Sequence, residues 1–190
     1  MTTLEILTQQ QARRTITVLS LPGLIRFISE IDDNGPVSRG SLGATFDDLT
    51  RHQLRHALET ADGIGLVSTR EQVPVRYRLT RSGKDLADVY DAAARWARAH
   101  QFPSTTSDFV TRVQHTLKLL AQNTTAEGDS RRTGDPRPLP ASAVGLDTEA
   151  ARALRQAHSA LAEWLRAHPR TVRTTVSRSS HGASETERAT

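Results

Sequence analysis

The stretch Gly35–Leu86, GPVSRGSLGATFDDLTRHQLRHALETADGIGLVSTREQVPVRYRLTRSGKDL, decides how the chain reads. At its centre Thr50 is a good helix N-cap, because its hydroxyl can accept from the orphan amides of a first turn. Leu54, Ala57, Leu58 and Ala61 follow at spacings of three and four, which puts them on one face of a helix over Arg51–Ala61. His52, Arg55, His56 and Glu59 lie opposite, with Arg51 and Gln53 on the flanks. Gly63 and Gly65 end that helix. Leu66–Arg70 and Val75–Leu79 then read as two short strands around Glu71–Pro74. In the second, Val75, Tyr77 and Leu79 face one way while Arg76 and Arg78 face the other. Before Thr50, a short helix around Ser38–Ala44 is expected, with Ser38 as its cap and Leu42 as its core contact.

Working outward, Ile16, Leu19, Leu24, Phe27, Ile28 and Ile31 keep helical spacing, interrupted by Leu21-Pro22-Gly23. Two helices are expected, the second opening near Pro22 and stopped by Asn34-Gly35-Pro36. Downstream, Thr80 caps a long helix to about His100, whose stripe is Leu86, Val89, Tyr90, Ala93, Trp96 and Ala97. Pro103 ends this first unit, residues 1–103. A helical extension, 104–168, follows. Ser107–Gln122 is amphipathic through Phe109, Val113, Leu117 and Leu120, and Asp147–His168 through Leu154, Ala157, Leu161, Trp164 and Leu165. Between them, residues 123–146 have the composition of a flexible linker, and 169–190 that of a disordered tail. Leu86–His100 and Leu154–His168 match at seven of fifteen positions without a gap. Duplication and convergence of two Ala- and Arg-rich helices both account for this echo, and convergence is the preferred reading.

The order of elements is two helices, a short helix, a capped helix, a two-strand ribbon and a long helix. This is the wiring of a winged helix-turn-helix, a mainly α fold in which the capped helix enters the DNA major groove and the ribbon lies along the backbone. Over about residues 16–100 the chain resembles the HxlR-type transcriptional regulators, relatives of the MarR-type ones. The resemblance rests on Gly35-Pro36, Leu42, Asp48-Leu49-Thr50, Leu54, Leu58 and Gly65-Leu66-Val67. It continues through Tyr77-Arg78-Leu79-Thr80, Gly83, Leu86 and Trp96. Ser38-Arg39 stands where the family has Arg-Phe, Leu24 where it has Trp, and the wing is shorter. The 87 residues after Pro103 lie outside the family pattern. The resemblance implies a homodimer bound to an inverted repeat of double-stranded DNA. It would be joined through Leu86, Val89, Tyr90, Ala93 and Trp96, apolar surface that a unit of about 85 residues would struggle to bury alone. The alternative is that the C-terminal helices fold back on their own domain.

On that reading His52, Gln53, Arg55 and His56 face the groove, since Arg pairs bidentately with guanine and Gln with adenine. Thr50 and the free amides behind it hold a phosphate at the helix start, and Arg51 beside it serves either role. Arg39, Arg70, Arg76 and Arg78 are the phosphate contacts from the wing and the positioning helix. The competing account of the same residues is a solvated helix face and a charged edge strand, on a winged-helix interaction module that has lost DNA binding. Of the 25 basic residues 23 are Arg, the exceptions being Lys84 and Lys118, and the net charge is +4. That balance permits a nucleic-acid partner. The chain has no cysteine, which excludes disulfides, thiolate metal sites and thiol redox sensing. His52 and His56 are spaced like a helical metal pair, but no HExxH accompanies them. Ser82-Gly83-Lys84 lacks the earlier glycine of a phosphate loop, because Arg78 occupies it. No base stands beside a nucleophile at a recognisable spacing. No metal, cofactor or catalytic activity is therefore expected, and a small-molecule effector is undefined. No run approaches a membrane span, and the first residues carry no basic leader, so a cytoplasmic location is expected.

Overall fold

A computed structural model describes residues 9–69, 75–129 and 148–175. Two helices open the chain, α1 (Gln9–Leu19) and α2 (Pro22–Asn34), broken where Pro22 takes the first helical position. Gly35 ends α2 with φ of 83°, a left-handed conformation that glycine adopts without a Cβ penalty. Ile16, Leu19, Leu24, Phe27, Ile28 and Ile31 are all buried, as their spacing implied.

The next segment departs from expectation. Val37–Ser38 form a strand, β1, and the short helix α3 covers only Leu42–Thr45. Ser38 is therefore not a helix cap. Its backbone pairs with Arg76 on another strand, while its Oγ accepts from the Ser41 amide at 3.1 Å and steadies the turn into α3. Leu42 is buried as expected. Helix α4 runs from Arg51 to Gly63, two residues beyond the expected end. Strands β2 (Val67–Thr69) and β3 (Arg76–Leu79) follow, shorter than the sequence suggested. The three strands form an antiparallel sheet in the order β1-β3-β2, with Val37 opposite Tyr77 and Ser68 opposite Arg78.

Helix α5 (Arg81–Ala99) starts at Thr80, whose hydroxyl accepts from the Gly83 amide at 3.2 Å. After a connection containing a cis Phe102–Pro103 peptide comes α6 (Phe109–Asp129). Asp108 caps α6, and the backbone hydrogen bond from Thr111 holds its carboxyl below the usual carboxylate range. Residues 123–129 belong to this helix rather than to a linker. Residues 130–147 lie outside the described residues, and α7 covers Thr148–Ala167. The expected tail is corrected in part. Residues 169–175 are helical, with Thr171, Val172 and Thr175 buried, so they join the core, while 176–190 are outside the described residues.

One hydrophobic cluster runs across residue 103. It joins Phe27, Phe46 and Leu66 to Leu86, Trp96, Leu117, Leu120, Leu161 and Trp164. Helices α6 and α7 both pack on α5, and α6 also packs on α1 and α2. The Tyr90 hydroxyl donates to the Leu19 carbonyl at 2.7 Å, and burial pushes its pKa up, which keeps it a donor. This packing also corrects the expected dimer surface. Leu86, Val89, Tyr90, Ala93 and Trp96 are each 5 % exposed or less within a single chain. The stripe is covered within the same chain by α2, α6 and α7, and at Tyr90 by Leu19 of α1.

Candidate nucleic-acid interface

Helix α4 is oriented by its apolar edge. Ala57 and Ala61 are buried, Leu54 and Leu58 half-buried, and α4 packs against α2. The approach is close, since a Cβ on Gly23 of α2 would lie 3.4 Å from the Gln53 carbonyl oxygen and 3.5 Å from the Ala57 Cβ. Arg26 of α2 reinforces it from the side. Its Nε donates to Asp48 at 3.2 Å, it pairs with Glu30, and its guanidinium sits 5.2 Å from the Phe46 ring centroid. Phe46 in turn packs on Phe27 at 5.3 Å. These contacts fix the turn before α4, and with it the direction in which α4 starts.

The start itself is a reciprocal cap. The Thr50 hydroxyl accepts from the Gln53 amide at 3.2 Å, and Gln53 Oε1 accepts from the Thr50 amide at 2.9 Å. Two orphan donors are satisfied at once. The cap changes the expected role of Gln53. Bidentate reading of adenine needs both ends of its amide, and Oε1 also accepts from the Thr50 hydroxyl at 2.9 Å. Gln53 is thus a capping residue in this structure, and Thr50 shares that duty.

Arg51, His52, Arg55, His56 and Glu59 are exposed along the opposite side of α4. The His52 and His56 rings stack with centroids 6.5 Å apart and planes 14° from parallel. Among the described residues no group of three or more His, Cys, Asp or Glu is arranged to hold a metal. His56 also lines a shallow cleft with Val18, Leu21, Glu59, Thr60, Ile64 and Thr175. The last described residue therefore ends beside the second half of α4, a proximity that no local feature of residues 169–175 announces.

On the sheet, Arg76 and Arg78 are exposed, and Tyr77 and Leu79 are half-buried, which is the alternation expected from the sequence. Tyr77 packs edge-on against Phe27 with ring centroids 6.1 Å apart, anchoring the strand that carries both arginines. Arg39 is exposed just after β1, its amide donating to the Val75 carbonyl at 2.9 Å. Arg70 lies outside the described residues. Arg170 and Arg173 are exposed on the final helical stretch.

Comparisons of the chain with protein-family models, with curated proteins and with solved structures return no match. Among the described residues no helix is long and apolar enough to cross a membrane.

Proposed function

We propose that residues 9–99 form a winged helix-turn-helix and that the protein is a sequence-specific double-stranded DNA-binding regulator of transcription. The observation that carries this reading is the exposed Arg51-His52-Arg55-His56 side of α4. That helix is capped at its start and held from behind by α2. The arrangement of α2, α3 and α4 supplies a helix whose outer side is exposed, and β3 supplies two further outward arginines.

Labour divides on this reading. Phosphate contacts fix register, and base-edge contacts select sequence. Arg76, Arg78 and Arg39 belong to the first group and Arg55, His52 and His56 to the second, while Arg51, at the helix start, can serve in either. Pairing of two chains through the α5 stripe is no part of the proposal, because the folded chain leaves that stripe no exposed surface.

The test is selection of bound duplexes from a random pool, followed by binding of variants to the selected site. Arg55→Ala is expected to cost about 1–3 kcal/mol at that site and to relax preference at one base pair. Arg76→Ala is expected to weaken all sequences alike and to lower the salt slope by about one, as one fewer counterion is released. A folded chain that binds no duplex at about 50 mM salt, where counterion release is strongly favourable, refutes the proposal and leaves a protein-interaction module.

A further inference from the structure

The echo between α5 and α7 has a counterpart in three dimensions. Adding 68 to a residue number on α5 gives its partner in the echo, so that Leu86 matches Leu154, Trp96 matches Trp164 and His100 matches His168. The two helices pack together. Trp96 Nε1 donates to the Ala150 carbonyl at 3.0 Å, and Trp164 Nε1 donates to the Ser82 carbonyl at 2.9 Å. Ala150 is itself the counterpart of Ser82. Each tryptophan near the end of one helix therefore binds the same position near the start of the other, which makes the pair antiparallel and two-fold related.

The agreement extends outward. Trp96 contacts His100 with ring centroids 5.3 Å apart, and Trp164 contacts His168 at 5.4 Å. One shallow cleft is lined by Ser82, Asp85, Ala167 and His168, and a second by Ala99, His100 and Ala153. Under the same shift Ala99 and Ala167 correspond, as do Asp85 and Ala153. Two helices that merely share a composition have no reason to share a register of reciprocal hydrogen bonds.

We infer that α7 is an internal replica of α5 that occupies, within one chain, the place of a second chain's α5. The face of α5 has the parts to pair with itself. In such a pair each Trp96 would find a Ser82 carbonyl, and each His100 an Asp85 carboxylate. Helix α7 supplies the tryptophan and the histidine, and His168 Nε2 lies 2.8 Å from Asp85 Oδ2. It lacks the acid, because Ala153 stands in the place of Asp85. The self-complementary face is thus closed in cis with one of its two His–Asp pairs missing. If the DNA reading holds, a chain that stays monomeric presents one α4, and its site is a single element without two-fold symmetry. That consequence rests on the proposed function, whereas the replica does not.

The experiment restores the missing pair in the full chain. Ala153→Asp is expected to raise the thermal midpoint at pH 5.5 by about 2 °C, a gain on the scale of one partly exposed ion pair. The gain is expected to vanish when His100→Gln is also present. A second arm uses the absence of cysteine. Val89→Cys places a lone thiol at the centre of the α5 face, because Ser82 and Trp96 facing each other put position 89 opposite its own copy where two α5 helices would meet. The expected outcome is that this variant forms no interchain disulfide under mild oxidation at 10–100 μM protein (roughly the working range for weak dimers). A dimer that forms without that disulfide is joined elsewhere and agrees with a closed α5. A disulfide-linked dimer overturns the inference, and so does an Ala153→Asp change that is neutral or destabilising irrespective of His100. Neither readout involves DNA, so failure here and failure to bind duplex are separate results.

Discussion

Replacing Gly83 with alanine is expected to destabilise the protein by about 3 kcal/mol, lowering its thermal midpoint by about 6–12 °C. A Cβ at this position would lie 2.1 Å from the Leu66 carbonyl oxygen, a separation no pair of non-bonded atoms tolerates. The oxygen cannot simply move aside. It accepts from the Thr80 amide at 2.9 Å, the Thr80 hydroxyl donates to the adjacent Gly65 carbonyl at 2.7 Å, and these bonds tie the segment after α4 to the start of α5. The carbonyl carbon of Leu66 and Cδ2 of Leu79, at 3.1 and 3.2 Å, close the remaining space. Gly43 is the matched control. It lies in α3 with nothing within 4 Å of its virtual Cβ, so Gly43→Ala should be neutral or slightly stabilising. Equal melting temperatures for the two variants would remove the close approach as the reason for glycine at 83.

Arg112→Met is expected to cost a similar amount, about 3 kcal/mol, for a different reason. The side chain of Arg112 is buried on α6 and its guanidinium donates to backbone carbonyls. Ser107 and Thr105 accept at 2.8 Å, Ala97 at 3.2 Å and Phe102 at 3.4 Å. One side chain thereby satisfies the turn that carries the chain from α5 back onto the core. Methionine fills much of the volume but removes the donor to the Ser107, Thr105 and Phe102 carbonyls, while Ala97 keeps the Phe102 amide at 2.8 Å, and an unsatisfied buried polar group costs about 1–3 kcal/mol. Arg112→Lys should fall between the two, because an ammonium cannot span the same fan of carbonyls. The exposed Arg98 on α5 provides the comparison, and Arg98→Met should change the melting temperature little. If Arg112→Met melted with wild type, the turn would have to be held by something other than this fan.

What the two residues share is that their importance is not local. Gly83 was legible in the sequence as part of a spacing, Tyr77-x-Leu79-Thr80-x-x-Gly83-x-x-Leu86, but nothing in the spacing says which backbone approaches it. Arg112 was not legible at all. An arginine on an amphipathic helix ordinarily reads as a solvated one, and only the folded turn converts it into a buried clamp.

The same division runs through the whole chain. By itself the sequence determined the helices with strong local signals: α2 between Pro22 and Gly35, α4 behind Thr50, and α5 behind Thr80. It also determined the alternation that turns Arg76 and Arg78 outward and the face of α4 that carries Arg51, His52, Arg55 and His56. Caps, turns and periodicity act within a few residues, so they survive without knowledge of the fold. Tertiary structure decided the rest. Strand β1 is two residues long and exists only because β3 lies beside it. The amide of Gln53 is drawn into a cap instead of pointing away. Residues 169–175 have a polar composition, yet Thr171 and Thr175 are buried because neighbouring elements cover them. The stripe of α5 is apolar in either case, but apolarity does not name its partner. Burial is non-directional, so the pattern alone does not choose among apolar surfaces. Here the same chain supplies the partners, α6 and α2 together with α7, which is matched to α5 in register.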